Sequence, residues 1–254
     1  MPKVSEIAAF LEKRIPSELK MDYDNVGLLC GYPDREVTRV LVVLDITMDA
    51  ISEAQSMNAE LIVSHHPVIF SPMRTLTDDS PEGERVIALL RSEISAICLH
   101  TNLDRLEGGV NTALAETLGA DVEEALDMGC VCRLPAPVDL EAFLAQTADA
   151  LGVHDIRYYD ADRLVERIAV CGGAGGDIIY DAHRHGCDCV VTGEIKHHQW
   201  IDGAQYGINM IEAGHFATEN VVVPVLAGML RREYPDVDIC QSCFQGPITR
   251  GYGF

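Results

Sequence analysis

The chain has 254 residues, of which 48% are hydrophobic and 23% charged. That balance excludes a mainly disordered chain and suits one large domain or two small ones. Asp and Glu total 40 against 19 Lys and Arg, and the net charge of −21 repels duplex nucleic acid over most of the surface. No run of 18 apolar residues exists to cross a membrane, and Met1–Glu6 carries no apolar signal core. Nine Cys is an odd number, and without a signal segment free thiols in a reducing cytoplasm are expected.

The periodicity predicts a first helix over Val4–Arg14, with Ile7, Phe10, Leu11 and Ile15 at helical spacing and Pro16 ending it. Asp24-Asn25-Val26-Gly27 forms a turn into Leu28–Cys30. A buried strand is expected at Val40–Asp45, a helix at Met48–Ser56 and a second strand at Glu60–Ser64. A helix over Glu84–Ser92, a strand over Ser95–Leu99 and a helix over Asn111–Leu118, stopped by Gly119, continue the alternation. After a proline-bearing stretch (Pro135, Pro137), a helix over Asp139–Leu151 and a Tyr-rich strand over Ile156–Asp160 follow. Strands alternating with helices make this an α/β protein whose sheets are covered on both faces. A boundary near 125–130 divides it into residues 1–126 and 127–254, with room for the two to exchange elements.

Residues 39–66 align without gaps on 167–194, at an offset of 128. Arg39, Val42, Asp49, Ile51, Ala54 and Val63 face Arg167, Val170, Asp177, Ile179, Ala182 and Val191. This indicates two related α/β domains from an internal duplication. At another offset, His100 and Asp104 match His215 and Glu219, each pair following an apolar strand.

Chemistry-bearing side chains gather just beyond apolar strands, where α/β sheets place their ligand sites. Ser64-His65-His66-Pro67 ends one strand. Strand alternation would aim the two rings to opposite sides, as two ions with one imidazole each would require. His100-Thr101-Asn102-Leu103-Asp104 ends another, and Gly214-His215-x-x-x-Glu219 a third, with its imidazole and carboxylate one helical turn apart. Imidazole and carboxylate suit zinc, iron, manganese or nickel. His197 and His198 fall in the repeat segment that also holds Glu194 and Lys196. Gly172–Gly176 opens a helix, either as an anion cradle or as a place of close backbone packing. Cys187 and Cys189, in an apolar strand pattern, are read as buried small hydrophobes.

Taken in order, Asp24-Asn25-Val26-Gly27, Ser64-His65-His66-Pro67, His100–Asp104, Gly173-Ala174-Gly175, Thr192-Gly193-Glu194 and Gly214-His215-x-x-x-Glu219 resemble the Nif-three-like family. Its members carry the name GTP cyclohydrolase I type 2 homologues. The resemblance runs from Val4 to Gly253. It implies two α/β domains of mixed sheets flanked by helices and a dinuclear metal site at the domain interface. It also implies a toroidal homohexamer. By motif, His66 and Asp104 would hold one ion, His65 and His215 the other, and Glu219 would touch both. His100 would stand as an outer ligand or near neighbour.

The activity this suggests is metal-dependent hydrolysis of a nucleotide or phosphorylated small molecule, with His100 or His198 carrying protons. The other function expected of such a centre is a metal carrier or insertase without turnover.

Overall fold

The structure, a computed structural model, describes residues 1–243 and 246. The remaining C-terminal residues, to which the resemblance extends, lie outside the described ones. A short apolar strand between two helices is satisfied only in a sheet covered on both faces, and the chain builds two such sheets in two units. The first unit holds residues 1–106 and the described residues from Val223 onward; the second holds 107–222.

In the first unit, α1 (Val4–Arg14) buries Val4, Ile7 and Leu11. It is followed by β1 (Gly27–Cys30), β2 (Arg39–Val43), α2 (Met48–Ser56), β3 (Leu61–Ser64), α3 (Pro81–Arg91), β4 (Ser95–Cys98) and the short α4 (Thr101–Asp104). Two helix starts carry side-chain caps: Thr47 accepts from Ala50 N, and Ser80 accepts from Gly83 N with Pro81 next in line. That Ser-Pro signal sets α3 three residues earlier than its apolar spacing alone suggested.

The second unit runs α5 (Val110–Thr117), β5 (Asp121–Ala125), β6 (Cys130–Val138), α6 (Leu140–Leu151), β7 (Arg157–Tyr159), β8 (Val165–Cys171), α7 (Ile178–His185), β9 (Cys189–Thr192), α8 (His197–Tyr206), β10 (Asn209–Glu212) and α9 (His215–Asn220). Finally, α10 (Val222–Glu233) leads back to the first unit, where β11 (Asp238–Gln241) pairs parallel with β2.

Both sheets are mixed. The first has the order β1-β4-β3-β2-β11, with only β1 antiparallel to its neighbour; the second has β5-β6-β8-β9-β10-β7 with β8, β9 and β10 parallel. Strand alternation sorts the cores. In β8, Ile168 and Val170 face the cluster around Phe143 and Leu114, while Ala169 and Cys171 face the one around Ile178, Ile179 and Met210. In the first unit Leu41, Val43, Ile62, Ala96 and Cys98 share a cluster with Ile51 and Leu89.

The expected division at 126/127 moves to Leu106, because β5 and β6 pair with each other and then with β8, while β11 returns to β2. The all-exposed, acid-rich β5 carries no apolar signal, and the prolines of β6 sit where its register with β8 slips between Arg133 and Val138.

The duplication is visible in register. Val40 pairs with Leu61 and Val43 with Ser64; 128 residues later Ile168 pairs with Cys189 and Cys171 with Thr192. Asn58 and Gly186, also 128 apart, both take positive φ at the helix exit, +55° and +66°. The third strands follow at an offset of 114: Leu61 pairs with Ser95, and Cys189 with Asn209. That register sets His100 against Gly214 and Thr101 against His215. The matching of His100 with His215 is therefore one residue out, and the two His-x-x-x-carboxylate segments are not equivalent.

Candidate metal centre

In the first unit β2, β3 and β4 run parallel and end together. Just beyond them the backbone ladder continues: His66 N donates to Leu44 O at 2.9 Å, and Leu99 N to Ser64 O at 2.9 Å. This places Asp45, His65, His66 and His100 at one sheet end, the position that α/β topology makes a ligand site.

The two adjacent rings do not diverge. His65 and His66 ring centroids are 4.9 Å apart, and His100 lies 5.2 Å from the first and 5.6 Å from the second. Alternation fails because β3 ends at Ser64, whose Oγ donates to His66 O at 2.8 Å and helps bend the chain before Pro67.

Each ring is anchored through Nδ1. His65 Nδ1 is 2.9 Å from Leu99 O, His66 Nδ1 2.7 Å from Asp45 Oδ1, and His100 Nδ1 2.8 Å from Asp24 Oδ1. A carbonyl or an ionised carboxylate only accepts, so Nδ1 carries the hydrogen and a neutral ring presents its lone pair at Nε2. His65 is fully buried, and its Nε2 stands 3.6 Å from Asp104 Oδ1. The resemblance assigned Asp104 to His66; the described contact is with His65.

Asp24 is itself buried. Burial would raise its pKa, but hydrogen bonds from His100 and Thr101, with the charge of His100, outweigh this and hold it well below the usual carboxylate range. Thr101 N (3.0 Å) and Thr101 Oγ1 both donate to Asp24 Oδ2.

In the second unit, Gly214 at φ +89° turns the chain out of β10, and His215 opens α9. Glu219, one turn on and buried, sets Oε2 3.0 Å from His215 Nε2, while Glu194 Oε1 lies 2.7 Å from His215 Nδ1. An imidazole with a carboxylate oxygen at each nitrogen must carry two protons or share a cation with Glu219.

The glycine loop explains how Glu219 comes so close. A Cβ on Gly173, itself at φ +61°, would lie 2.0 Å from Glu219 Oε1, and one on Gly193 would lie 2.8 Å from His215 Cα. The loop amides are occupied too: Gly172 N donates to Asn111 Oδ1 (2.9 Å) and Gly173 N to Thr218 Oγ1 (3.0 Å). The loop thus serves close packing, and two of the donors an anion cradle would need are already used.

At the repeat offset, Gly193 and Glu194 take the places of His65 and His66, and Gly173 that of Asp45. His197 and His198 come later, exposed in the first turn of α8, and no described hydrogen bond or ion pair engages His198. Asp45, a ring anchor, went unnoticed in the sequence; its only signal was an acidic residue closing an apolar strand. Cys130, Cys132, Cys171, Cys187 and Cys189 are all buried in the two cores of this unit, and none of the metal-competent groups among the described residues contains Cys.

The donors fit a divalent ion of borderline softness: imidazoles locked in the Nε2 form, with carboxylates beside them. The chain is 33% identical over 251 residues to a GTP cyclohydrolase 1 type 2 homolog of Clostridium perfringens, covering 94% of this chain and 96% of the relative. A homolog of the same name from Clostridium acetobutylicum is 33% identical over 240 residues, covering 90% and 89%. Among solved structures, Staphylococcus aureus protein SA1388 matches with a TM-score of 0.90 at 25% identity, covering 99% of each chain. A Bacillus cereus protein related to NIF3 has a TM-score of 0.91 at 22% identity, covers 99% of each chain, and shares the fold. The model of the Duf34/NIF3 (NGG1p interacting factor 3) family matches residues 2–247, and the chain belongs to that family.

Proposed function

We propose that this chain is a metal-dependent hydrolase of a nucleotide or phosphorylated small molecule. His65, His66 and Asp104 from the first unit and His215 and Glu219 from the second would be the ligands of two divalent ions per chain, drawn from zinc, iron, manganese or nickel. One observation carries the reading: four imidazoles are each held at Nδ1 by an acceptor oxygen, the arrangement that prepares Nε2 for a metal. The name shared by the relatives supports a ring-opening attack on a purine nucleotide; a phosphoester is the other substrate that the same chemistry serves.

Bound metal supplies hydroxide near neutral pH. The chain's own residues do the rest. Asp45 and Glu194 orient the rings of His66 and His215. His100, backed by the ionised Asp24, and the exposed His198 are the imidazoles available to carry protons. The fold contains no helix among the described residues long and apolar enough to cross a membrane. A cytoplasmic toroidal homohexamer completes the proposal.

The test is elemental analysis of anaerobically purified protein, with His65→Ala and Glu219→Ala beside the wild type, followed by turnover on GTP and a phosphoester panel. Two metals per chain, reduced in both variants, together with product formation, support the hydrolase. Full metal without turnover, passed to an apo-acceptor faster than it is released spontaneously, replaces it with a carrier. A wild type that holds no metal and refuses reloading overturns both.

A further inference from the structure

Beside the strand ends of the first unit, two large aromatic rings stand in solvent although the backbone under both is pinned. Tyr23 is 65% exposed and Phe70 44%. Their centroids lie 6.3 Å apart with the planes inclined at 59°, so the rings meet without stacking and neither covers the other's face. Phe70 in turn meets the half-buried His100 ring at 6.1 Å, nearly perpendicular at 79°. The three rings form a row that ends where the chain leaves β4.

Several hydrogen bonds fix this row. Tyr23 lies in a turn closed by Asp24 N, which donates to Met21 O at 2.9 Å. Thr101 ties down both ends of the turn: Met21 N donates to Thr101 Oγ1 at 2.9 Å, and Thr101 N donates to Asp24 Oδ2 at 3.0 Å. Phe70 is displayed by the segment after Pro67, where Asn25 Nδ2 donates to Ile69 O at 2.7 Å and Phe70 N donates to Glu82 Oε1 at 3.2 Å. Leaving apolar rings in water forgoes the gain from burying them. A pinned backbone spares a ligand the cost of ordering its platform.

A shelf of two rings that ends in an imidazole suits one kind of ligand. A flat heteroaromatic base has a π face to stack on Tyr23 or Phe70 and polar edge atoms to hydrogen-bond. An alkyl chain has no use for the imidazole, and a sugar phosphate has no face to stack. The net charge of −21 gives an anion little general attraction, which leaves the neutral base to supply recognition.

We infer that Tyr23 and Phe70 form a base-binding subsite, which selects nucleosides and nucleotides over phosphorylated compounds that lack a base. The two rings determine specificity, and all their anchors lie in the first unit. The inference rests on the reading of a nucleotide as substrate, and goes beyond it in naming the residues that choose it.

The test titrates the full chain, stripped by chelator, with guanosine and with ribose 5-phosphate, read by ligand-observed NMR. Guanosine is expected to bind the metal-free wild type more tightly than ribose 5-phosphate does. Tyr23→Ala and Phe70→Ala should each weaken guanosine at least about fivefold, the lower end for a base stacked on an aromatic ring, and leave ribose 5-phosphate unchanged. Tyr23→Phe and Phe70→Tyr keep the rings and should restore the binding. Tyr158→Ala removes a similarly exposed ring from the second unit and should change neither ligand. Melting temperatures should stay in place throughout, since each ring is exposed.

A wild type that binds guanosine no better than ribose 5-phosphate overturns the inference, as does guanosine binding indifferent to both Ala variants. These titrations need no metal, so the two readings fail separately. A chain that holds no metal yet binds guanosine through the two rings keeps the subsite and loses the hydrolase. One that loads metal and turns over GTP at the same KM in wild type and both Ala variants keeps the hydrolase and loses the subsite.

Discussion

Arg39 and Arg167, 128 residues apart, make the same hydrogen bond in the two units: each guanidinium Nη1 donates to the carbonyl at the exit of the following helix, Met57 in one and His185 in the other. Each also pairs through Nε with a carboxylate of its own sheet, Asp238 on the adjacent β11 or Glu123 on β5, two strands away. Both arginines hold the strand–helix–strand corner on which their unit is built. Replacing either by Ala should destabilise by about 1–2 kcal/mol, the range for a partly screened hydrogen bond from a charged donor. Urea unfolding checks this. Two losses of similar size are expected, and a loss confined to one arginine would show that the corners are not equivalent.

Gly173→Ala should remove metal rather than merely soften the fold. Its Cβ would run into the Glu219 carboxylate, and the left-handed backbone adds strain. Gly186→Ala is the matched control, since Gly186 has a similar φ but open space around it. Both should cost about 1–2 kcal/mol of backbone strain, and only Gly173→Ala should lower the bound metal measured after reloading. Equal metal content in the two would show that Glu219 does not need the space.

Glu194→Ala takes the acceptor from His215 Nδ1, and Asp45→Ala takes it from His66. Either substitution should weaken metal binding by about 10–100-fold without abolishing it. Competition against a fluorescent chelator gives the affinities. Values unchanged from wild type would show that the ring orientation is set by packing alone.

Asp24 makes stability depend on pH in a fixed direction. Its carboxyl is depressed in the folded protein, so its contribution is complete above about pH 4, the ordinary carboxylate value, and is lost as pH falls through the folded-state value. For metal-free protein, the difference in stability between wild type and Asp24→Asn should narrow as pH falls below about 4. Denaturation series across that range measure it. A difference that grows as pH falls below about 4 contradicts the assigned ionisation.

The thiols should sort by burial. Burial pushes Cys98 and Cys187 up to about 11, and Cys189 higher still. Cys243 is exposed and Cys240 partly so. Brief alkylation of native protein at pH 8 should therefore label Cys243 first, with all nine reacting after unfolding. Peptide mapping that finds Cys187 or Cys189 modified in the native state would contradict the core assignment.

Much of the candidate site was legible because the residue types that gather there form local groups. The residues sit at strand ends, in His-His, His-x-x-x-Asp and His-x-x-x-Glu groups, and strand ends are readable from apolar runs such as Val40–Leu44. What sequence spacing misjudged was the direction of the rings. Alternation between His65 and His66 presumes a strand, and the strand stops one residue earlier. The register of His100 against His215 failed similarly, since only ladder pairing distinguishes an offset of 114 from one of 115.

The order of elements, the duplication and the family membership were determined by the sequence itself, because hydrophobic period and repeated residue classes are properties of neighbours along the chain. Tertiary structure decided which carboxylate anchors which ring: Asp24 reaches His100 across 76 positions, and Asp45 and Glu194 each reach their ring across 21. It decided that Gly173 serves Glu219 and that β11 completes the first sheet. Those outcomes depend on which strands lie side by side, and pairing between distant segments leaves no mark in the local pattern that a sequence displays.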